Sequence, residues 1–126
     1  MKRAVLLVLV ALLIPAMFVA GQQKKFIAIA TGGTSGTYYP LGGAMAEIIN
    51  KNVAAVNASA QSTNASAANI NMMSTDEVQV ALVQNDVTYY AFNGVEMFKD
   101  KKVANLAGIA VLYAETIQIV TVTNTK

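Results

Sequence analysis

The segment Gly32-Gly-Thr-Ser-Gly36, continued by Thr37, Tyr38 and Tyr39, gathers glycines, hydroxyls and two aromatic rings within eight residues. Glycines in a tight turn leave backbone N–H groups free, and the start of a helix adds more, so such a turn can cradle a carboxylate or a phosphate. Thr34, Ser35 and Thr37 add hydroxyls, and Tyr38 and Tyr39 can wall a cavity and donate hydrogen bonds. An ordinary strand-to-helix turn with glycine at positive φ reads the same way. Two nucleotide patterns are excluded. No Gly-Lys-Ser/Thr ends the loop, and its spacing is G-G-x-x-G rather than G-x-G-x-x-G.

Three further groups carry polar chemistry. Thr63, Ser66 and Asn69 offer two hydroxyls and an amide about one helical turn apart, although Ser66 is also a natural helix N-cap. Gln84-Asn-Asp86 follows an apolar run directly; Asp86 can meet a ligand ammonium or complement its own helix dipole. Tyr113 can present its hydroxyl to a cleft or end a core strand. No Cys and no His occur in the chain, which excludes a disulfide framework, a thiol nucleophile, a Ser-His-Asp triad and Cys- or His-based metal sites. No cofactor and no metal are expected.

The elements that must hold these groups alternate. Phe26–Ala30 is a β-branched, apolar first strand. Leu41, Ala44, Met45, Ile48 and Ile49 recur at helical spacing after a Thr37 cap, with Pro40 tolerated in the first turn and Glu47, Asn50 and Lys51 on the opposite side. Residues 53–61 form a weaker strand, a short helix starts near Ser66, and residues 77–84 form a buried strand. A helix capped by Asn85 or Asp86 runs through Phe92 and stops at Gly94. Residues 95–105 are a polar, basic loop, Leu106–Tyr113 is an apolar strand, and Ile117–Thr123 is the last strand. The order β-α-β-α-β-α-β-β predicts an α/β fold with a mostly parallel sheet covered by helices on both faces. In such sheets ligands collect at the carboxyl ends of the strands, where residues 31–37, 62–66, 84–86 and Tyr113 fall.

The N-terminus reads as an export signal. Lys2 and Arg3 precede an apolar run from Ala4, Pro15 breaks it, and small residues follow at 19–21. Cleavage before Gln22 is expected; the stretch from Ala4 to Ala20 is short for a span of about 20 residues. Residues 1–21 are thus a signal peptide and 22–126 the mature chain, with seven basic and seven acidic residues. Nothing in it resembles a nucleic-acid-binding patch; Lys99, Lys101 and Lys102 are expected in a solvated loop. A strand so close to Lys126, with nothing to cover it, leads us to expect a truncated chain.

Read in order, Ile29–Gly43, Thr63–Asn69, Ala81–Asp86 and Leu112-Tyr-Ala-Glu115 resemble the TAXI family (TRAP-associated extracytoplasmic immunogenic proteins). These are solute receptors of tripartite ATP-independent periplasmic transporters. The resemblance implies a type II periplasmic-binding-protein fold, of which this chain would supply the first lobe and the first inter-lobe crossing strand. It implies a monomeric, non-enzymatic periplasmic receptor. Such a receptor closes two lobes over a small anionic or zwitterionic solute, such as glutamate or another carboxylate, and delivers it to TRAP membrane permease subunits. Carried over by position, the contacts would come from Thr34, Ser35, Gly36, Thr37, Tyr38, Tyr39, Ser66, Asn69, Gln84, Asp86 and Tyr113. Asn64 and Ala67-Ala68 depart from the pattern, where many relatives have a glycine and a bulkier or acidic pair. The alternative is a secreted α/β enzyme acting on a small anionic substrate, with Asp86 or Glu115 as its base.

Overall fold

A computed structural model describes residues 23–116. The signal peptide and the strand expected over 117–123 lie outside them. The elements run β1 (Lys25–Ala30), α1 (Tyr38–Asn52), β2 (Val56–Gln61), α2 (Ser66–Ser74), β3 (Val80–Ala81), α3 (Asn85–Asn93) and a 3-10 turn (Glu96–Phe98). The three strands form one parallel sheet in the order β2-β1-β3. This is the α/β architecture expected from the alternation, and it matches part of a periplasmic-binding-protein-like domain.

The alternation of β1 sorts its side chains onto two faces. Ile27 and Ile29 pack with Met45, Ala46, Ile49, Val56, Ala58 and Val80 beneath α1. Ala28 and Ala30 face the other way, against Met72, Met73, Val78 and Ala81 beneath α2. A third cluster joins Ile70 of α2 to Val87 and Ala91 of α3, and to Phe98 and Val103 beyond it. Helices therefore cover both faces of the sheet.

Several elements differ from the sequence reading. The apolar stripe of α1 is rotated: Gly42 and Ala46 are its buried residues, whereas Ile48 is 62% exposed. Gly42 and Ala46 let α1 approach the sheet closely, and half-buried Met45 and Ile49 pack there as well. Asn50, expected on the solvent side, instead reaches the outer edge of β2, where its amide donates to Ala58 O (2.8 Å) and accepts from Ala58 N–H (2.7 Å). The amide occupies backbone groups that an edge strand otherwise leaves open. β2 starts at Val56 rather than Val53, because the Val53 N–H closes α1 on Ile49 O (2.8 Å).

β3 is only two residues long, not the eight expected over 77–84. Gln79 and Leu82 N–H still donate to Ala28 O and Ala30 O, but the Ala28 N–H is taken by the Gln79 side chain, Oε1 at 3.0 Å, so the ladder starts late. The strand expected over 106–113 is corrected as well. Residues 101–116 carry no helix or strand, and Ile109 and Val111 are 86% and 95% exposed. α3 ends as expected, with Gly94 left-handed at φ 67 and the Val95 N–H closing on Tyr90 O (3.0 Å). The basic loop after it is stitched down rather than free. Phe98 and Val103 are buried, Val103 N–H donates to Ala91 O (2.9 Å), and the exposed Lys102 ammonium lies 5.5 Å over the Phe92 ring.

Gly42 sets the approach of α1 to the sheet. A Cβ there would overlap Thr31 Cγ2. Thr31 is buried, and its hydroxyl is fixed on Gln61 O at 2.6 Å, so it cannot swing away. Gly42→Ala improves helix propensity by about 1 kcal/mol, yet it is expected to lower stability by about 1–3 kcal/mol through overpacking. Denaturant unfolding checks the sign.

Candidate functional site

The carboxyl ends of β1 and β3 open into the loops after them, and a cavity of about 260 Å³ lies there. Its wall is made by Gly32, Gly33, Gly36, Thr37, Tyr38, Ala65, Ser66, Gln84, Tyr113 and Glu115. Four separate stretches of chain thus meet at one rim. What brings them together is a hydrogen-bond frame behind the wall, centred on Asn69. This residue is 0% exposed. Its amide donates to Thr31 O (2.6 Å) at the end of β1 and to Leu82 O (2.7 Å) after β3. Its Oδ1 lies 2.5 Å from the Thr63 hydroxyl, which also reaches Thr31 O (2.9 Å) and accepts from the Ala65 N–H (3.1 Å). The Ser62 hydroxyl donates to Gly32 O (3.0 Å). Among the described residues no buried side-chain polar atom lacks a partner.

The glycine loop presents donors. Gly36 N–H closes a turn on Gly33 O (2.9 Å). Among the described residues, the N–H groups of Gly33, Thr34, Ser35, Tyr38 and Tyr39 meet no protein acceptor. Those of Tyr38 and Tyr39 belong to the first turn of α1, which has no intrahelical acceptor. Thr37 precedes α1 without capping it through its side chain, so its hydroxyl stays on the wall.

Across the cavity stands Glu115. Its carboxylate accepts from Gln84 Nε2 (2.7 Å) and from the Tyr113 hydroxyl (2.9 Å). The Tyr38 hydroxyl also acts on it, and is the largest cause that holds the Glu115 carboxyl below its ordinary range, ahead of the Tyr113 and Gln84 donors; desolvation opposes them. In turn burial, and then the Glu115 hydrogen bond, push the Tyr38 hydroxyl well above the ordinary tyrosine range. Tyr113 is raised by the same two causes. The two rings meet edge to face at 6.4 Å and 67°. Glu115 lines the cavity and does not fill it.

Of the residues singled out from sequence, Gly36, Thr37, Tyr38, Ser66, Gln84 and Tyr113 share this wall. The exposed Thr34 and Ser35 within the loop, and Tyr39 after it, lie off this wall. Asp86 lies off the wall and accepts from Val87 N–H (2.8 Å) in the first turn of α3, where an acid suits the helix dipole. Asn69 lies behind the wall with its polar atoms engaged, so it is corrected from a contact residue to one that positions the contacts. Ser66 stays on the wall but does not take the capping role also open to it. It is the first residue of α2 rather than its cap, and its hydroxyl accepts from the Gln84 N–H (3.0 Å), tying two loops together. Gln84 itself, not Asn85 or Asp86, occupies the N-cap position of α3. Gly32, Gly33 and Ala65 lie on the wall within the loops 31–37 and 62–66 expected at this edge, whereas Glu115 is a wall residue that the spacing did not indicate. Glu115 stood inside a quoted motif but was weighed only as a base, since spacing alone could not show that residues 113–115 return to the glycine loop.

Among the described residues no three of His, Cys, Asp and Glu gather to hold a metal ion. A family model described as the NMT1-like family matches residues 29–126. The chain belongs to the NMT1-like family. This is a periplasmic-binding-protein-like family that includes receptors of the TRAP/TAXI type, and it carries a solute-binding role with a small-molecule ligand.

Ala65 shows where this NMT1-like chain holds strain. Its φ of 61° and ψ of −153° fall in a region kept almost entirely to glycine. Ala65→Gly is expected to raise stability by about 1 kcal/mol, net of the added chain entropy, read from the melting temperature. Asn69→Ala strands two buried carbonyls and is expected to cost about 2–4 kcal/mol in denaturant unfolding. The proton is held on Tyr38 and Tyr113, so the stability from their neutral forms is complete below the ordinary tyrosine pKa of 10.0 and is lost as pH rises through the raised values. Ultraviolet titration of phenolate should show two tyrosines ionising above that value.

Proposed function

We propose that this NMT1-like protein is a non-enzymatic receptor of the TAXI type, serving a TRAP (tripartite ATP-independent) transporter. It captures a small anionic or zwitterionic solute, a carboxylate or an amino acid such as glutamate, for uptake driven by an ion gradient. The observation that carries the reading is the placement of the cavity. It lies at the carboxyl ends of parallel strands in a binding-protein-like family, and its wall includes Gly33 and Tyr38, whose N–H groups meet no protein acceptor among the described residues. A carboxylate of the solute would sit at that loop, with the Thr37 hydroxyl as a further donor and Tyr38 as a wall. Closure of a second lobe would then shift the population only as far as the solute favours the closed form. The basic and apolar leader supports export to the periplasm, and the protein would act there as a monomer.

Two features favour capture over turnover. Asp86 is spent on its own helix, away from the wall. Glu115 is held below its ordinary pKa by hydrogen bonds to its charged form, which makes it a weaker proton acceptor.

Thermal-shift measurements against L-glutamate, L-glutamine, succinate and glutarate test the reading. At a hundredfold excess over Kd a solute adds about 2.7 kcal/mol, which raises Tm by several degrees in a domain of this size. Tyr38→Ala should abolish the shift. No shift with any of these solutes would contradict the proposal.

A further inference from the structure

Glu115 is the only charged residue among the ten that form the cavity wall. The loop opposite offers N–H donors to an anion, so the two ends of the cavity differ in what they accept. At the Glu115 end the donors are already committed. The Gln84 side-chain amide and the Tyr113 hydroxyl both donate to this carboxylate, one to each oxygen. A second anion arriving there would meet a like charge and donors turned away from it. A cationic donor would instead meet a fixed acceptor, since a carboxylate has about four lone-pair sites and the protein uses only some of them. The hydrogen bonds hold the charge in place, so little ordering is left for the solute to supply.

We propose that Glu115 determines the specificity of the cavity: its carboxylate admits a solute that places an ammonium against it and turns away a solute that places a second carboxylate there. The proposal rests on the receptor reading above and adds a direction to it. The solute carboxylate lies at the Gly32–Tyr38 loop and the solute ammonium at Glu115. Discrimination arises as much from the repelled competitor as from the favoured partner.

Matched solutes that differ only in the ammonium group test it by calorimetry: L-glutamate against glutarate, and L-alanine against propionate. The wild-type chain should prefer the ammonium-bearing member of a pair by about tenfold or more. Glu115→Gln keeps the shape and an acceptor oxygen but removes the charge, and should reduce the preference to about threefold or less. Tyr113→Phe removes one of the hydrogen bonds to Glu115 and leaves the charge; it should keep the preference, whatever it does to absolute affinity. Tm without solute shows whether each variant is folded. A preference unchanged in Glu115→Gln would overturn the proposal, as would a wild-type preference for glutarate or propionate, or a loss in Tyr113→Phe as complete as in Glu115→Gln. Those results leave the receptor reading standing. If no member of either pair binds wild type or variants, the receptor reading fails and this inference falls with it.

Discussion

The buried Asn69 amide is the constraint on which the rest of the site depends. A parallel sheet ends in carbonyls that have no further strand to meet, and burying them without donors is costly. Here one side chain supplies donors to two of them, Thr31 O after β1 and Leu82 O after β3, while its own carbonyl faces the Thr63 hydroxyl. Ser66 adds a link from the start of α2 to the Gln84 N–H. The loops that form the cavity are therefore fixed from behind, and their remaining polar groups are left facing outward. The division of labour is physical. Groups that satisfy the backbone lie under the wall, and groups with spare donors or acceptors lie on it.

The same economy governs packing. α1 covers the Ile27 and Ile29 face of the sheet at close approach. Gly42 and Ala46 permit that approach, and Thr31 fills the space that a larger helix residue would need. Thr31 thus serves both layers: its methyl meets α1 and its backbone carbonyl meets Asn69. Moving the helix away from the sheet would also move the Gly32–Gly36 loop that begins one residue later. Fold stability and site geometry are coupled through this residue rather than through the cavity itself.

Much of this was legible in the residues. β1, the glycine loop and α1 follow from a β-branched run, a glycine cluster and a helical period. α3 and its glycine stop follow from the apolar spacing and from Gly94. The convergence of Gly36, Thr37, Tyr38, Ser66 and Gln84 on one rim follows from the α/β alternation, which sends successive loops to the same sheet edge; Tyr113 reaches that rim from a stretch with no strand. Other features depend on long-range partners that spacing does not encode. An amide at position 69 reads the same whether it faces a ligand or the backbone, and only burial distinguishes the two. Asn50 on a polar helix face gives no sign that it bonds an edge strand. The apolar run 106–113 has strand composition, but among the described residues no strand takes it up. Glu115 acquires its place because Gln84 and Tyr38, both distant in sequence, reach it together with its neighbour Tyr113.

The central claim is that donors of the glycine loop and the Glu115 carboxylate are two ends of one solute site. Residue-resolved NMR titration of the whole chain with L-glutamate tests it most directly. The account expects saturable shifts confined to the backbone amides of 32–38, the Gln84 side-chain amide and residues 113–115, with Asn69 still protected from exchange. Saturable shifts centred elsewhere, or at the glycine loop with no response at 113–115, would contradict it.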